Sequence, residues 1–272
     1  MDNRPIGVFD SGLGGLTVVK EIMKQLPNES IIYFGDDGRT PYGTKSKQTV
    51  IKYTKQDLAF LLSMDVKLVV VACNTVSAVA LPELISDNNV PVVEVINPGA
   101  KSALKKTKQG RIGIIATTAT TQSGVYVNAI KSLNSDVQIF SKACPLFVNL
   151  AEEGWWENDI ARMVAEEYLK ELKQEVIDTL VLGCTHYPML INTIQEVMGE
   201  GVVLVNSAKE LSVTLRGLLH EKNLEGTSNR AKYQYYTSDS VEKFKTLGEM
   251  ILGKEISNIT RVDLDGYSYK EK

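Results

Sequence analysis

Residues 69–75 read Val-Val-Val-Ala-Cys-Asn-Thr, and residues 180–186 read Leu-Val-Leu-Gly-Cys-Thr-His. Each stretch is an apolar run that ends at a cysteine followed by polar residues. Such a run is typical of a buried parallel strand that leads into a capped helix. The two cysteines are 184 − 73 = 111 residues apart. This pair predicts an α/β fold in which one structural unit occurs twice.

A second pair of similar stretches supports the repeat. Residues 6–11 (Ile-Gly-Val-Phe-Asp-Ser) match residues 112–117 (Ile-Gly-Ile-Ile-Ala-Thr), with the glycines 113 − 7 = 106 residues apart. Apolar strands resemble one another through composition alone. Two matches in the same order at nearly the same offset, with a cysteine in the same place, favour duplication over coincidence. We expect two similar halves.

Short β-branched runs alternate with longer amphipathic stretches along the chain, which predicts parallel strands joined by helices. The predicted strands are residues 6–9, 31–34, 68–72, 92–95, 112–116, 137–140, 180–182, 202–205, 233–236 and 259–262. The predicted helices are residues 16–26, 47–64, 78–85, 123–133, 160–172, 208–219 and 241–252, with another from about residue 189. Residues 97–99, Asn-Pro-Gly, predict a hinge or turn, and the polar residues beyond 263 predict a frayed tail.

Composition narrows the function classes. The chain has 272 residues, 43% hydrophobic and 23% charged, which is enough apolar surface for a packed core. The net charge of −3 argues against a dedicated nucleic-acid binder. No apolar window approaches the roughly 20 residues that a membrane span needs, and the N-terminus leads directly into a predicted strand without a signal peptide. We therefore expect a cytoplasmic protein without a membrane partner.

The cysteines and histidines argue against a metal site. Cys73, Cys144 and Cys184 are odd in number, widely spaced and without a Cys-x-x-Cys pair, so a disulfide framework and structural zinc are not expected. The two histidines, His186 and His220, are too few for a histidine-rich site. The thiols themselves are therefore the candidate reactive groups.

Cys73 and Cys184 both follow predicted strands, where open α/β sheets bind their ligands. A helix N-terminus can lower a thiol pKa from about 8.5 toward neutrality, so each thiol is a candidate base. Inverting a carbon centre needs one group to remove a proton and another to deliver one to the opposite face. An isolated free cysteine is usually structural, which is our interpretation of Cys144. For Cys73 and Cys184 the repeat favours a catalytic role.

Two glycine-rich loops are further site candidates. Asp10 and Ser11 precede Gly-Leu-Gly-Gly, but Thr17 stands where a dinucleotide fingerprint needs glycine, which weakens a nicotinamide site. Residues 36–43, Asp-Asp-Gly-Arg-Thr-Pro-Tyr-Gly, predict a site loop or lid. There Tyr42 and Gly43 can donate to a carboxylate, and a plain surface turn is equally compatible with the sequence.

Four of these motifs, in this order, resemble the glutamate racemases of the cofactor-independent aspartate/glutamate racemase family. They are residues 6–15, residues 35–43, residues 71–75 and residues 183–188. The resemblance covers almost the whole chain. It implies interconversion of L- and D-glutamate without a cofactor, with D-glutamate feeding peptidoglycan. It also implies two α/β domains with the active site in the cleft between them, and a homodimer.

The resemblance also implies residue roles. Cys73 and Cys184 would be the acid/base thiols, assisted by Asp10 and His186 respectively, with Glu152 as a further assisting carboxylate. The residues implied in substrate binding are Asp10, Ser11, Tyr42, Gly43, Asn74, Thr75, Thr185 and His186. The chain departs from the family pattern at Asp37-Gly38 and at Thr44, which leaves the shape of that loop open.

An interleaved domain layout is implied as well. Residues 1–97 and 207–264 would form one domain, residues 98–206 the other, and residues 265–272 a polar tail. The predicted breaks at residues 97–99 and 206–207 agree with this division.

Other functions remain as alternatives. Within enzymes these are a two-cysteine racemase acting on aspartate, or a hydantoin racemase or decarboxylase of the same architecture. A two-lobed binding protein of the periplasmic type predicts a secretion signal and gives no reason for paired thiols. A nicotinamide oxidoreductase is disfavoured by Thr17, and no lysine stands at a strand end as a pyridoxal phosphate site would require.

Overall fold

The computed structural model describes residues 1–84 and 90–268. Its strands are β1 (Ile6–Asp10), β2 (Ile31–Gly35), β3 (Leu68–Val71), β4 (Val92–Glu94), β5 (Arg111–Ala116), β6 (Gln138–Ala143), β7 (Thr179–Gly183), β8 (Val203–Val205), β9 (Tyr233–Thr237) and β10 (Ile259–Arg261). Its helices are α1 (Leu16–Gln25), α2 (Lys47–Ser63), α3 (Asn74–Val79), α4 (Leu81–Leu84), α5 (Ile96–Lys106), α6 (Thr118–Ser123), α7 (Val125–Leu133), α8 (Leu146–Glu152), α9 (Asp159–Gln174), α10 (Ile191–Met198), α11 (Ser207–Glu221) and α12 (Val241–Leu252).

Within those residues the strands form two parallel sheets. The first has the order β10-β9-β2-β1-β3-β4, and the second has the order β6-β5-β7-β8. Helices cover both faces of each sheet, so the inner strands bury both sides and are mostly apolar. The predicted fold class, two parallel-sheet α/β units, is confirmed.

The same strand order occurs in both sheets, which confirms the predicted repeat. β2-β1-β3-β4 corresponds to β6-β5-β7-β8, so the first strand of each half lies between the second and third. The register also repeats. Gly7 pairs with Val69 in the first sheet, and Gly113 pairs with Leu180 in the second. These are the positions that the two sequence offsets align, so Cys73 and Cys184 follow equivalent strands.

Three local predictions were wrong in detail. The helix predicted for 78–85 begins directly after Cys73 as α3 and continues as α4; residue 85 lies outside the described residues. The helix predicted for 123–133 is α6 and α7, separated by Gly124, whose φ of +67° favours glycine. The hinge or turn predicted for 97–99 is the start of α5, where the carboxylate of Glu94 accepts from the N–H groups of Ile96 and Asn97.

Residues 97–99, predicted as a hinge, lie inside the first turn of α5. Proline is tolerated there because an N–H in the first turn has no intrahelical partner to lose. α5 packs into the core of the second sheet through Ala100 and Ala103. α11 packs into the core of the first sheet, and the two helices contact each other. The domain boundaries at residues 97 and 207 stay predictions.

The C-terminal segment is more ordered than the predicted frayed tail. Leu264 is buried, and the Tyr267 ring contacts the Phe60 ring at 5.4 Å between centroids. The rest of the predicted tail, 269–272, lies outside the described residues. Among the helices of the described chain, none combines the length and apolar character needed to span a bilayer.

A buried ion pair joins four segments beneath the first sheet. Lys67 Nζ donates to Glu29 Oε2 at 2.5 Å and to the backbone carbonyls of Asp2 and Leu224, each at 2.7 Å. The Lys67 side chain has no solvent exposure. Removing the lysine leaves a buried carboxylate without its counter-charge.

We expect Lys67→Ala to lower the free energy of unfolding by about 3–5 kcal/mol, because an unpaired buried charge is costly. The matched control is Lys47→Ala, which removes an exposed ion pair with Glu83 and should cost at most about 1 kcal/mol. Urea denaturation measures both. Equal losses in the two variants would contradict this account of Lys67.

Candidate active site

The carboxyl ends of the central strands of both sheets face one small cavity of about 10 Å³. Nine predicted site residues line it: Ser11, Tyr42, Gly43, Cys73, Asn74, Thr75, Cys184, Thr185 and His186. Pro41, Thr117 and Val148 complete the lining. The other two predicted residues, Asp10 and Glu152, lie behind it, and each contacts a lining residue. The structure thus brings all the predicted site residues together.

Cys73 follows β3 and is the N-cap of α3. Its Sγ lies 3.5 Å from Ser11 Oγ. Burial and the nearby charge of Asp10 raise the pKa of the Cys73 thiol, against the hydrogen bonds with Ser11 and the Val76 N–H. The prediction that its helix N-terminus lowers this pKa was wrong, because desolvation outweighs those hydrogen bonds.

Cys184 has a different environment. Its Sγ lies 3.7 Å from His186 Nδ1, and His186 Nε2 lies 2.8 Å from Glu152 Oε1. Burial lowers the pKa of His186, but hydrogen bonds with Cys184 and Glu152 outweigh burial and raise it well above its usual value. The resulting imidazolium donates to both neighbours, so a positive charge lies beside the Cys184 sulfur.

Glu152 completes this line of groups. Burial raises the pKa of Glu152, but the hydrogen bond and charge of His186, together with the charge of Lys243, lower it below its usual value. Lys243 Nζ is 3.7 Å from Glu152 Oε2. An ionised Glu152 keeps the His186 ring oriented and protonated.

Asp10 joins the two halves of the site. Its Oδ2 accepts from the Gly15 N–H at 2.8 Å and from Thr185 Oγ1 at 3.1 Å. Burial raises the pKa of Asp10, and the His186 charge opposes that shift. Gly14 is required beside it, because a Cβ there would lie 2.6 Å from both His186 Nδ1 and Thr185 Oγ1.

Hydroxyl and amide groups cover the opposite side of the cavity. Asn74 Nδ2 donates to the Tyr126 hydroxyl at 2.7 Å. Thr75 Oγ1 lies 2.9 Å from Thr117 Oγ1 and 3.3 Å from Thr120 Oγ1. These groups can form hydrogen bonds with carboxylate and ammonium groups.

Sequence reasoning missed Thr117, although the repeat contained the signal. Thr117 is the counterpart of Ser11 at the offset of 117 − 11 = 106. It packs directly against Gly43, because a Cβ on Gly43 would overlap the Thr117 side chain. Its hydroxyl also caps α6 by accepting from the Thr120 N–H.

The loop at residues 36–44 contains two short 3-10 turns, Asp37–Arg39 and Tyr42–Thr44. The hydroxyl of Tyr42 donates to Asp36 and lies 3.0 Å from Asp57 Oδ2. Arg39 Nε donates to Asp36 at 2.6 Å, and its Nη2 donates to Asp57 at 3.0 Å. The Tyr42 ring lines the cavity while its hydroxyl is engaged elsewhere; a contact between that hydroxyl and substrate stays a prediction.

Asp37 is a further acidic group near Asp10 and Glu152. Its Oδ2 accepts from Thr237 Oγ1 at 2.6 Å. Burial raises the pKa of Asp37 to about 7. The negative charges of Glu152, Asp36 and Asp10 act in the same direction, and the hydrogen bond from Thr237 opposes the shift.

The third cysteine, Cys144, is buried in the core of the second sheet, and all three cysteines are free. Its carbonyl accepts from the Tyr187 hydroxyl at 2.8 Å. Within 1–84 and 90–268, no group of three or more His, Cys, Asp or Glu side chains is arranged to hold a metal ion.

Two facing thiols between duplicated α/β halves define a racemase-type site, and comparison with known proteins agrees. The sequence pattern of Asp/Glu/Hydantoin racemases matches residues 6–213. The chain is 48% identical to a glutamate racemase of Geobacter metallireducens over 96% of this chain and 97% of that protein. It therefore belongs to the Asp/Glu/Hydantoin racemase family and is an enzyme of the racemase class.

Solved structures of glutamate racemases have a similar fold. The crystal structure of a glutamate racemase from Francisella tularensis in complex with D-glutamate has a TM-score of 0.91 at 42% identity, covering 98% of this chain and 100% of that one. A glutamate racemase isoform from Bacillus anthracis has a TM-score of 0.93 at 39% identity, covering 97% and 99%. The predicted resemblance to glutamate racemases is confirmed.

The raised pKa of Asp37 predicts a pH-dependent stability. The unfolded carboxyl ionises near 3.8 and the folded one near 7, so stability falls as pH rises between these values. Asp37→Asn removes this pH-dependent loss. The free energy of unfolding of the variant, relative to that of the unmodified protein, should therefore be higher at pH 8 than at pH 4 by up to about 4 kcal/mol. Denaturant unfolding at both pH values measures it.

Asp239→Asn is the matched control, since Asp37 and Asp239 line a second, neighbouring cavity with Glu152, but Asp239 is exposed. A stability difference for Asp37→Asn that is the same at pH 4 and pH 8 would disprove the raised pKa.

Proposed function

We propose that the protein interconverts L-glutamate and D-glutamate by a two-base mechanism in which Cys73 and Cys184 act on opposite faces of the α-carbon. The observation that carries the proposal is the placement of two buried thiols after equivalent strands, on one cavity shared by both halves. One thiolate removes the α-proton and the other thiol delivers a proton to the opposite face.

The unequal surroundings of the thiols support a starting state for the reaction. The charged His186, held by Glu152, lies against Cys184 and makes it the base of that state, whereas burial and Asp10 favour the protonated form of Cys73. In that state Cys184 takes the α-proton and Cys73 gives its own. The reverse reaction starts from the opposite arrangement, which forms as each turnover ends.

Glutamate as substrate is supported by the relatives. Proteins 44–48% identical over almost the whole chain are named glutamate racemases, and the Francisella tularensis structure contains D-glutamate. An aspartate racemase from Picrophilus torridus and an aspartate racemase homologue from Pyrococcus horikoshii are similar at 17% and 16% identity, a level that indicates the fold alone. The polar lining around Asn74, Thr75 and Thr117 supplies donors for the two carboxylates.

Substrate binding also requires movement. The cavity of about 10 Å³ has room for about one water molecule, far less than glutamate needs. Gly43 and Thr117, which both line it, are packed directly against each other. We infer that the loop at residues 36–44 and the start of α6 separate to admit glutamate and close around it.

The wider biological setting follows from the family resemblance. The enzyme would work in the cytoplasm as a homodimer without a cofactor. Its product D-glutamate would supply peptidoglycan synthesis. These remain proposals, as do the domain boundaries.

The test is incubation of purified protein with L-glutamate in D₂O without added cofactor, followed by chiral chromatography and mass spectrometry. We expect D-glutamate with deuterium at the α-carbon, because the delivered proton comes from a solvent-exchanged thiol. Cys73→Ser and Cys184→Ser should each lower the rate at least about 100-fold, because a serine hydroxyl is far too weak an acid to replace the thiol.

Cys144→Ser is the matched control, because Cys144 is equally buried but lies outside the cavity. It should keep racemase activity. Retention of substrate hydrogen in the product, or full activity in either Cys73→Ser or Cys184→Ser, would refute the two-base mechanism.

A further inference from the structure

One buried hydrogen bond joins the two halves of the protein at the wall of the cavity. Asn74, the first residue of α3, follows β3 of the first sheet, and Tyr126 of α7 packs in the core of the second sheet. Asn74 Nδ2 donates to the Tyr126 hydroxyl at 2.7 Å, and both side chains are buried. Asn74 is the member of this pair that lines the cavity. A residue of the second half therefore holds a cavity residue of the first.

Tyr126 also lies where the two connections between the sheets meet. The described chain passes from the first sheet to the second through α5 and returns through α11, and these two helices contact each other. A Cβ built on Gly99 of α5 would lie 3.2 Å from the Tyr126 hydroxyl oxygen and 3.2 Å from the Cβ of Ser207, the first residue of α11. The hydroxyl that holds Asn74 thus lies against both connecting helices.

Two glycines make room for the Tyr126 ring. A Cβ on Gly99 would lie 3.1 Å from ring atom Cε1, and a Cβ on Gly183 would lie 3.1 Å from ring atom Cε2. A side chain at either position would be closer than the roughly 3.5–4.0 Å of ordinary packing. The ring therefore fits closely between two backbones, one of which ends β7 directly before Cys184. This packing fixes the position of the hydroxyl.

The Tyr126 hydroxyl keeps its proton. Burial raises the pKa of Tyr126, the negative charges that Glu94 and Cys184 can carry act in the same direction, and hydrogen bonds with Asn74 and Ser207 oppose the shift. A neutral phenol can accept one hydrogen bond and donate another. Tyr126 can therefore accept from Asn74 while it donates to Ser207.

We propose that Tyr126 is a positioning residue for glutamate: its hydroxyl fixes the Asn74 amide in the orientation that binds substrate, and it ties that orientation to the packing of α5 against α11. The inference rests on the proposed function, in which Asn74 supplies a donor to a substrate carboxylate. An amide nitrogen carries two hydrogens, so one remains for substrate when the other is held by Tyr126. Tyr126 itself does not touch the reacting atoms.

The physical reason is preorganisation. An amide that is already oriented loses less rotamer freedom when glutamate binds, which improves affinity. Because the hydrogen bond spans the two halves, it also favours the closed arrangement around substrate. Both effects act on binding and leave the proton transfers at the thiols unchanged. We therefore expect the role of Tyr126 to appear in KM and not in kcat.

Tyr126→Phe tests the role, because it removes the hydroxyl and keeps the ring. We expect KM for L-glutamate and for D-glutamate to rise about tenfold, with kcat within about threefold, because ground-state and transition-state binding weaken equally. Isothermal titration calorimetry should show the same loss of affinity for glutamate. Tyr187→Phe is the control, since Tyr187 is also buried and its hydroxyl donates to the Cys144 carbonyl. It should leave KM unchanged.

A double-mutant cycle separates positioning from general damage. If Tyr126 acts through Asn74, the variant that combines Asn74→Ala with Tyr126→Phe should have the KM of Asn74→Ala alone, within about twofold. Two increases in KM that multiply would show independent action and overturn the proposal. Ser207→Ala removes the other partner of the hydroxyl and should raise KM in the same direction, by about threefold.

An unchanged KM in Tyr126→Phe overturns the proposal, and if that variant does not fold, an unchanged KM in Ser207→Ala does so. A fall in kcat at unchanged KM also overturns it, because Tyr126 would then act on the reacting groups. If the unmodified protein racemises glutamate and Tyr126→Phe binds it equally tightly, this inference alone fails. If the unmodified protein neither racemises nor binds glutamate, the proposed function fails and this inference with it.

Discussion

The carboxylate of Asp10 holds the two halves of the active site in contact. It ends β1 in the first sheet, yet it accepts from Thr185, which follows the third strand of the second half. Its second hydrogen bond, from the Gly15 N–H, fixes the glycine loop of its own half. Because both partners are buried, this contact places the loops that carry the two thiols on one cavity. The close approach at Gly14 depends on the same contact.

Cys73 and Cys184 occupy equivalent positions in the repeat, but the side chains around them differ. Cys73 faces a serine hydroxyl and the charge of Asp10, whereas Cys184 faces a histidine supported by a carboxylate. A symmetric pair of thiols would both be protonated in such a buried place, because desolvation disfavours thiolate. The proposed two-base reaction would use this difference, with Cys73 as the first acid and Cys184 as the first base.

Several features of the fold were predictable because they depend on local pattern. The apolar runs identified the strands, and the repeat offsets identified β1 with β5 and β3 with β7 as equivalent strands. Local pattern failed at residues 97–99, where Pro and Gly suggested a turn. Tertiary packing of Ala100 and Ala103 against the second sheet and capping by Glu94 stabilise a helix there instead. The pKa of Cys73 also depended on burial, which no local pattern measures.

The sequence by itself determined the α/β class, its duplication and the two cysteines after equivalent strands, since strand periodicity and motif order are written in neighbouring residues. Only the tertiary structure decided that Thr117 lines the cavity, that Tyr42 directs its hydroxyl to Asp36, and that Asp37 and Thr40 meet Glu152 beside Gly12. Glu152 and Gly12 are 140 residues apart in the chain. Contacts of that kind arise from the packing of distant segments, and burial then sets their electrostatics.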